Sequence, residues 1–225
     1  MIGSFFNFLS YLCHPFLMPA FGLYLMFELP TEPVGMRKMD ALYYFPIEYK
    51  KPLMFVLGVL TFAAPAVSLM IMYWNRIISS LKLENRKERI YPFILVSFYY
   101  ILAYIYVRVQ IPETAMHPAL LGFLFGILVV FVTAFIINFY IKVSLHALGI
   151  FGICGMLLGY SQTQLPPDGV SGVANLEVIA GLIVLAGLVA AGRVYLKAHG
   201  LKEVLLGMAL GFGVLFLCVR TGFYI

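Results

Sequence analysis

Two of the four histidines lie next to hydroxyl, carboxylate and guanidinium groups at the boundaries of apolar segments. His146 follows Ser144 in the stretch KVSLHALG, and His199 lies in GRVYLKAHGLKEVLLG, six residues after Arg193 and four before Glu203. An imidazole at the boundary of an apolar segment can protonate a leaving oxygen near neutral pH. An imidazole whose tautomer is fixed by a carboxylate keeps its other nitrogen free to attack. These are the groups that a phosphohistidine enzyme needs.

Gly200 follows His199 directly, and glycine readily ends a helix. We therefore expect Gly200 to break the preceding helix and to place His199 beside the start of the next one. There the positive end of the helix dipole favours the neutral, nucleophilic imidazole.

A third polar segment, 75–91, is the most charged part of the chain and holds Lys82 and Arg89 seven residues apart. A guanidinium can bind two phosphate oxygens at once, and lysine adds a compact charge. Each of the three segments also has a plainer interpretation. Segment 75–91 could be a solvated basic loop, His146 a helix cap, and 193–203 a charged turn anchored to headgroups.

The composition indicates that lipid surrounds most of the chain. Of the 225 residues, 63% are hydrophobic and only 11% are charged, and the mean hydropathy is +0.98. Hydrocarbon leaves backbone polar groups unsatisfied unless the chain forms helices or a closed barrel, and long continuous apolar runs favour helices. We predict an all-α, polytopic transmembrane helix bundle. The net charge of +5 is attributed to lipid headgroups and topology, so nucleic acid is not expected as a partner.

Seven apolar runs have the length of membrane-spanning helices, and a single domain over 1–225 accommodates them. The runs are 5–28, 53–74, 92–110, 118–141, 147–163, 173–192 and 204–224. Pro15 and Pro19 should kink the first. The connection 29–52 mixes charged and aromatic residues, so we expect it to lie at the membrane interface. Alternation of the helices then puts the connections 75–91, 142–146 and 193–203 on one face of the membrane, where costly polar residues indicate a functional site.

The three polar segments resemble the signature of the type 2 phosphatidic acid phosphatase superfamily. That signature is KxxxxxxRP, then PSGH, then SRxxxxxHxxxD, and this chain has KLENRKERI, VSLH and GRVYLKAHGLKE in that order. The resemblance implies a fold similar to the membrane lipid phosphatase or chloroperoxidase-like core over about residues 76–225. The chain departs from the signature at Ile90, Val143, Leu145, Gly192 and Glu203.

The resemblance also implies a role for each matching residue. His199 would be the nucleophile, Glu203 its orienting partner and His146 the general acid. The phosphate oxygens would be bound by Lys82, Arg89, Ser144 and Arg193. Neither a metal nor another cofactor is implied.

The function expected from these residues is that of a membrane lipid-phosphate or lipid-diphosphate phosphatase with a phosphohistidine intermediate. Its partners would be a lipid phosphate or polyprenyl diphosphate substrate and the surrounding membrane lipids, in a multi-pass protein of a bacterial inner (cell) membrane. Two alternatives stay open: a non-enzymatic protein that binds or transports phospholipid or polyprenyl phosphate, and a lipid phosphotransferase. The headgroup, the acyl chain, the side of the membrane and the oligomeric state are not written in the sequence.

Overall fold

A computed structural model describes residues 2–33, 41–80, 87–111, 116–165 and 174–222. Within these residues the chain is an all-α helical bundle, as predicted. The α-helices are α1 (Ile2–Leu12), α2 (Leu17–Glu28), α3 (Ile47–Gly58), α4 (Ala64–Trp74), α5 (Ile90–Gln110), α6 (Pro118–Asn138), α7 (Leu145–Ser161), α8 (Leu176–Tyr195) and α9 (Leu201–Thr221). A short antiparallel pair joins β1 (Glu32–Pro33) to β2 (Gln164–Leu165).

Five helices in the described part of the chain are long and apolar enough to cross a membrane. They are Ile47–Trp74, in which a π-helical stretch at Val59–Ala63 joins α3 to α4, and α5, α6, α8 and α9. The bent pair α1 and α2 brings the number of spans to six if it counts as one. The protein is therefore a multi-pass integral membrane protein.

The first apolar run is broken, as its prolines predict. The axes of α1 and α2 differ by 66°, and Pro15 lies in the break between them. Pro19 lies near the start of α2, where the missing N–H group costs little because the first helical turn has no internal acceptors for its N–H groups. The bend keeps α1 from continuing along the direction of α2.

The centre of the bundle is formed by α7 and α9, which pack with their backbones in close contact. A Cβ atom on Gly155 would collide with the carbonyl oxygen of Phe212, and one on Gly211 with the carbonyl oxygen of Leu148. Small residues of this kind allow membrane helices to approach without hydrophobic driving force. At 17 residues α7 is shorter than its neighbours, in agreement with the short apolar run predicted there.

Side-chain contacts join the ends of the helices at the membrane boundary opposite the polar segments 142–146 and 193–203. The Tyr160 hydroxyl near the end of α7 lies 3.5 Å from the Thr31 hydroxyl, which follows α2. The buried Lys50 of α3 donates to the Phe27 carbonyl oxygen at 2.7 Å and pairs with Glu28 at 3.0 Å. Part of the connection 29–52 thus packs into the bundle. Residues 34–40 lie outside the described part, and the interfacial placement of that connection stays a prediction.

Candidate active site

A tight turn between α8 and α9 sets the distance between Arg193 and His199. The Arg193 carbonyl oxygen accepts hydrogen bonds from the N–H groups of Ala198 at 3.1 Å and His199 at 3.3 Å. The spacing of six residues therefore consists of the end of α8 and the turn that follows it. It brings the guanidinium and the imidazole of this segment to the same end of the bundle.

The sequence analysis assigned the break in the helix to the wrong residue, Gly200. Lys197 carries the left-handed backbone, with φ of 54°, whereas Gly200 is extended with φ of −74°. Because Gly200 is the residue before the first turn of α9, His199 still lies directly ahead of the positive end of that helix, as expected.

The side chains of His199 and Glu203 are hydrogen bonded to each other. Nδ1 of His199 lies 2.7 Å from Oε2 of Glu203, and the same oxygen accepts from the Gly200 N–H group at 3.3 Å. A carboxylate can only accept, so Nδ1 carries the proton and Nε2 of the neutral ring keeps its lone pair. The Glu203 carboxylate thus fixes the tautomer that a nucleophile requires.

The electrostatic surroundings also keep His199 neutral. Burial lowers the pKa of His199 to about 4, against the opposing effect of its hydrogen bond to Glu203, and the positive charges of Arg193 and Lys142 lower it further. At neutral pH the ring is therefore an unprotonated imidazole. Lys142 was not selected from the sequence, although it lies two residues before Ser144.

Ser144 and His146 begin α7 beside this pair. The Ser144 N–H group donates to the Glu203 carbonyl oxygen at 3.2 Å, which fixes the start of α7 against the start of α9. The Ser144 side chain is fully buried, and its Oγ has no hydrogen-bond partner within the described residues. Leu145 occupies the first position of α7, so the segment has no need of the glycine found in the PSGH signature.

His146 lies close enough to Arg193 and His199 for their charges to interact. The two histidines selected from the sequence therefore face one common region. His146 also makes a hydrogen bond with the backbone of Ser10, a residue of α1.

Two arginines bring positive charge to the same region. Arg89, at the start of α5, is 5% exposed and interacts electrostatically with Glu203 and Arg193. Burial lowers the pKa of Arg89, the charge of Glu203 opposes this, and Arg193 adds to it. The Nε atom of Arg193 is buried and has no hydrogen-bond partner among the described residues.

The connection before α5 is anchored by Glu88, whose carboxylate accepts from the N–H group and the hydroxyl of Ser79 at 2.7 and 2.8 Å. This contact holds the chain that leads into Arg89. The predicted phosphate ligand Lys82 lies outside the described residues, so its role stays a prediction.

The bend between α1 and α2 adds Ser10 and His14, which the sequence analysis missed. The ring centroids of His14 and His146 are 5.7 Å apart in an edge-to-face arrangement. The Ser10 hydroxyl accepts from Nη1 of Arg193 at 3.3 Å. The sequence did contain an indication of them, because polar residues within an apolar run of a membrane protein point to function.

This arrangement has the groups needed for phosphoryl transfer. It combines a neutral imidazole with an oriented ring, a second imidazole, one buried and one half-buried guanidinium group, and a buried hydroxyl. Among the described residues, no group of three or more His, Cys, Asp or Glu side chains could hold a metal ion.

Comparison with known families matches residues 130–225 to the PAP2 superfamily. The match confirms the resemblance to type 2 phosphatidic acid phosphatases over that part of the chain and supports phosphatase-type activity. It contains the second and third polar segments, whereas Lys82 and Arg89 lie before it. Searches of curated proteins and of solved structures found no match.

Proposed function

We propose that this protein, whose residues 130–225 match the PAP2 superfamily, hydrolyses a lipid phosphate or lipid diphosphate through a phosphohistidine intermediate. One observation carries the proposal: the His199–Glu203 pair, His146, the buried Arg89 and the half-buried Arg193 meet at one end of the bundle. Buried polar atoms in native proteins nearly always have partners. Phosphate oxygens would supply acceptors for the Ser144 hydroxyl and for Nε of Arg193.

In the first step Nε2 of His199 attacks phosphorus, and the bond from phosphorus to the leaving oxygen breaks. His146 in its protonated form gives its proton to that oxygen, which departs as an alcohol or, from a diphosphate, as a phosphate. Glu203 stabilises the positive charge that develops on the His199 ring. Burial and the positive charge of Arg193 oppose protonation of His146, so the negative charge of the substrate must offset both effects when His146 holds its proton.

In the second step a water molecule attacks phosphorus, and the bond from phosphorus to Nε2 breaks. His146, now neutral, takes a proton from the water and returns to its starting form. The products are inorganic phosphate and a neutral His199. Arg89 and Arg193 would balance the charge on the phosphoryl oxygens in both transition states.

An apolar pocket next to the histidines supports a lipid substrate. Its lining includes Pro15, which follows His14, and Leu145, which precedes His146, and it continues along Met18, Leu148 and Leu215. A phosphoryl group at the arginines would therefore leave its hydrocarbon portion beside apolar side chains.

The test is phosphate release from phosphatidate, phosphatidylglycerol phosphate and polyprenyl diphosphate by the purified protein. We expect His199→Ala to abolish turnover, and His146→Ala to slow it by about 10² to 10⁴-fold, as for other proton-transfer groups. The matched control is His117→Ala, because His117 caps the start of α6 away from the site. Turnover by His199→Ala near the wild-type rate would refute the nucleophile.

The same assay separates the alternatives. Phosphate-lipid binding without phosphate release would indicate a carrier or transporter. Release that depends on an added lipid or sugar acceptor would indicate a phosphotransferase. Placement in a bacterial inner (cell) membrane is part of the proposal and would be tested by fractionation of the native cells.

A further inference from the structure

The amino-terminal helix α1 packs against the end of α8 that carries Arg193. The rings of Phe6 and Tyr195 have centroids 5.3 Å apart. Gly192 lies directly beneath Phe6, and a Cβ atom at Gly192 would lie 2.7 Å from Cδ1 of that ring. The glycine that replaces the serine of the SRxxxxxHxxxD signature is thus the position at which α1 approaches α8.

The close approach brings the Ser10 hydroxyl to Arg193. Ser10 donates its proton to the Phe6 carbonyl oxygen at 2.9 Å, so its oxygen is oriented to accept from elsewhere. Nη1 of Arg193 donates to the Ser10 hydroxyl oxygen at 3.3 Å. The contact joins residues 183 positions apart in the chain.

We propose that Ser10 is a positioning residue of the active site, which holds the Arg193 guanidinium in the orientation that binds phosphate. The inference rests on the proposed function and extends it to a helix that carries no part of the three-part signature. A guanidinium has five donors in a fixed plane, so its orientation decides which of them reach a phosphoryl oxygen. With Nη1 held by Ser10, the buried Nε is left to face the substrate.

The packing of α1 against α8 contributes to the same positioning of Arg193. Phe6 fills the space above Gly192, and Ser10 lies one helical turn further along α1. A side chain at position 192 would push Phe6 away and carry Ser10 with it. Gly192 therefore acts on Arg193 through α1 as well as through its own helix.

A double-mutant cycle on inorganic phosphate affinity tests the proposal without relying on turnover. Arg193→Lys keeps the charge but removes the planar guanidinium. We expect Ser10→Ala to weaken phosphate binding about tenfold, the effect of one hydrogen bond to a charged group. In the Arg193→Lys background the same change should have no further effect. Ser10→Thr, which keeps the hydroxyl, should bind phosphate like the wild type.

The control for the cycle is Ser68→Ala, since the Ser68 hydroxyl is bonded to Tyr99, 2.8 Å away, and belongs to α4. Its effect should be small and unchanged by Arg193→Lys. A second pair tests the seating of α1: Gly192→Ala should weaken phosphate binding like Ser10→Ala, and Phe6→Ala in the same chain should restore it.

Wild-type affinity in Ser10→Ala, or equal losses from Ser10→Ala in both backgrounds, would overturn the role of Ser10. Phosphate binding without turnover in the wild type would refute the phosphatase while the cycle still decides on Ser10. A wild-type protein that binds no inorganic phosphate at millimolar concentration would overturn both.

Discussion

Glu203 connects three parts of the site. Its carboxylate accepts from His199 and from the Gly200 N–H group, and its carbonyl oxygen accepts from the Ser144 N–H group. The family signature has aspartate at this position. A glutamate in the first turn of a helix can reach back to the N–H group ahead of the helix. The longer side chain thus orients the histidine and caps α9 with the same oxygen.

The lowered pKa of His199 predicts a pH-dependent stability. The ring titrates near 6.5 when unfolded and at about 4 when folded, so the unfolded state binds more protons between these values. The contribution is fully present above pH 6.5 and is lost as the pH falls towards 4.

Thermal unfolding in detergent at pH 7 and pH 5 measures this effect. We expect the melting temperature of the wild type to fall at pH 5, and His199→Gln to reduce that fall. An equal fall in both proteins would contradict the buried, neutral imidazole.

The spacing of four residues predicted the pairing of His199 with Glu203, although His199 precedes α9 and the carboxylate reaches back to it from the first turn of that helix. It could not predict the contribution of Ser10 and His14. Their partners Arg193 and His146 lie far away in the sequence, and only tertiary packing brings them together. For the same reason the charge of Lys142 near His199 was not anticipated.

Helix packing fixes the relative positions of the two histidine segments. His146 lies in the first turn of α7 and Glu203 in the first turn of α9, so any sliding of these helices would separate the groups. The glycine contacts between α7 and α9 oppose such sliding. The helices themselves could be predicted from apolar runs and prolines, whereas which helices touch could not, because lipid-facing and helix-facing residues are equally apolar.

Gly211→Ala should destabilise the bundle and reduce activity. Its Cβ atom would collide with the Leu148 carbonyl oxygen, which cannot move without displacing α7. Overpacking of this kind typically costs about 1 to 3 kcal/mol. Gly213→Ala is the matched control, because a Cβ atom there meets nothing within 4 Å. Melting temperature and phosphate release should both fall for Gly211→Ala, and equal behaviour of the two variants would contradict the packing of α7 on α9.

The whole molecule has a polar end with the site and an opposite end with the β1–β2 pair. Charge does not decide which end faces the cytoplasm, since the basic residues outside the site are shared evenly between the two predicted faces. The composition and the lengths of the apolar runs predict the helix bundle. They do not predict its orientation in the membrane.

Cysteine labelling would determine the orientation, because Cys13, Cys154 and Cys218 are all buried. Tyr140 and Leu201 are 83% and 61% exposed at the site end, and Tyr49 is 66% exposed at the other. We expect a membrane-impermeant maleimide to modify Tyr140→Cys and Leu201→Cys from one side of sealed vesicles and Tyr49→Cys only after permeabilisation, or the reverse. Modification of Tyr140→Cys and Tyr49→Cys from the same side would contradict the topology.

The proposed role of the contact between Ser10 and Arg193 would make catalytic competence a late event in the maturation of the chain. Ser10 and Arg193 are 183 positions apart, so they leave the ribosome at very different times, and Glu203 follows later still. The long apolar helices can insert one after another, but no partly inserted intermediate holds the complete set of groups. Hydrolysis therefore reports on tertiary assembly, and it should disappear under mild denaturation while the helical content is still intact.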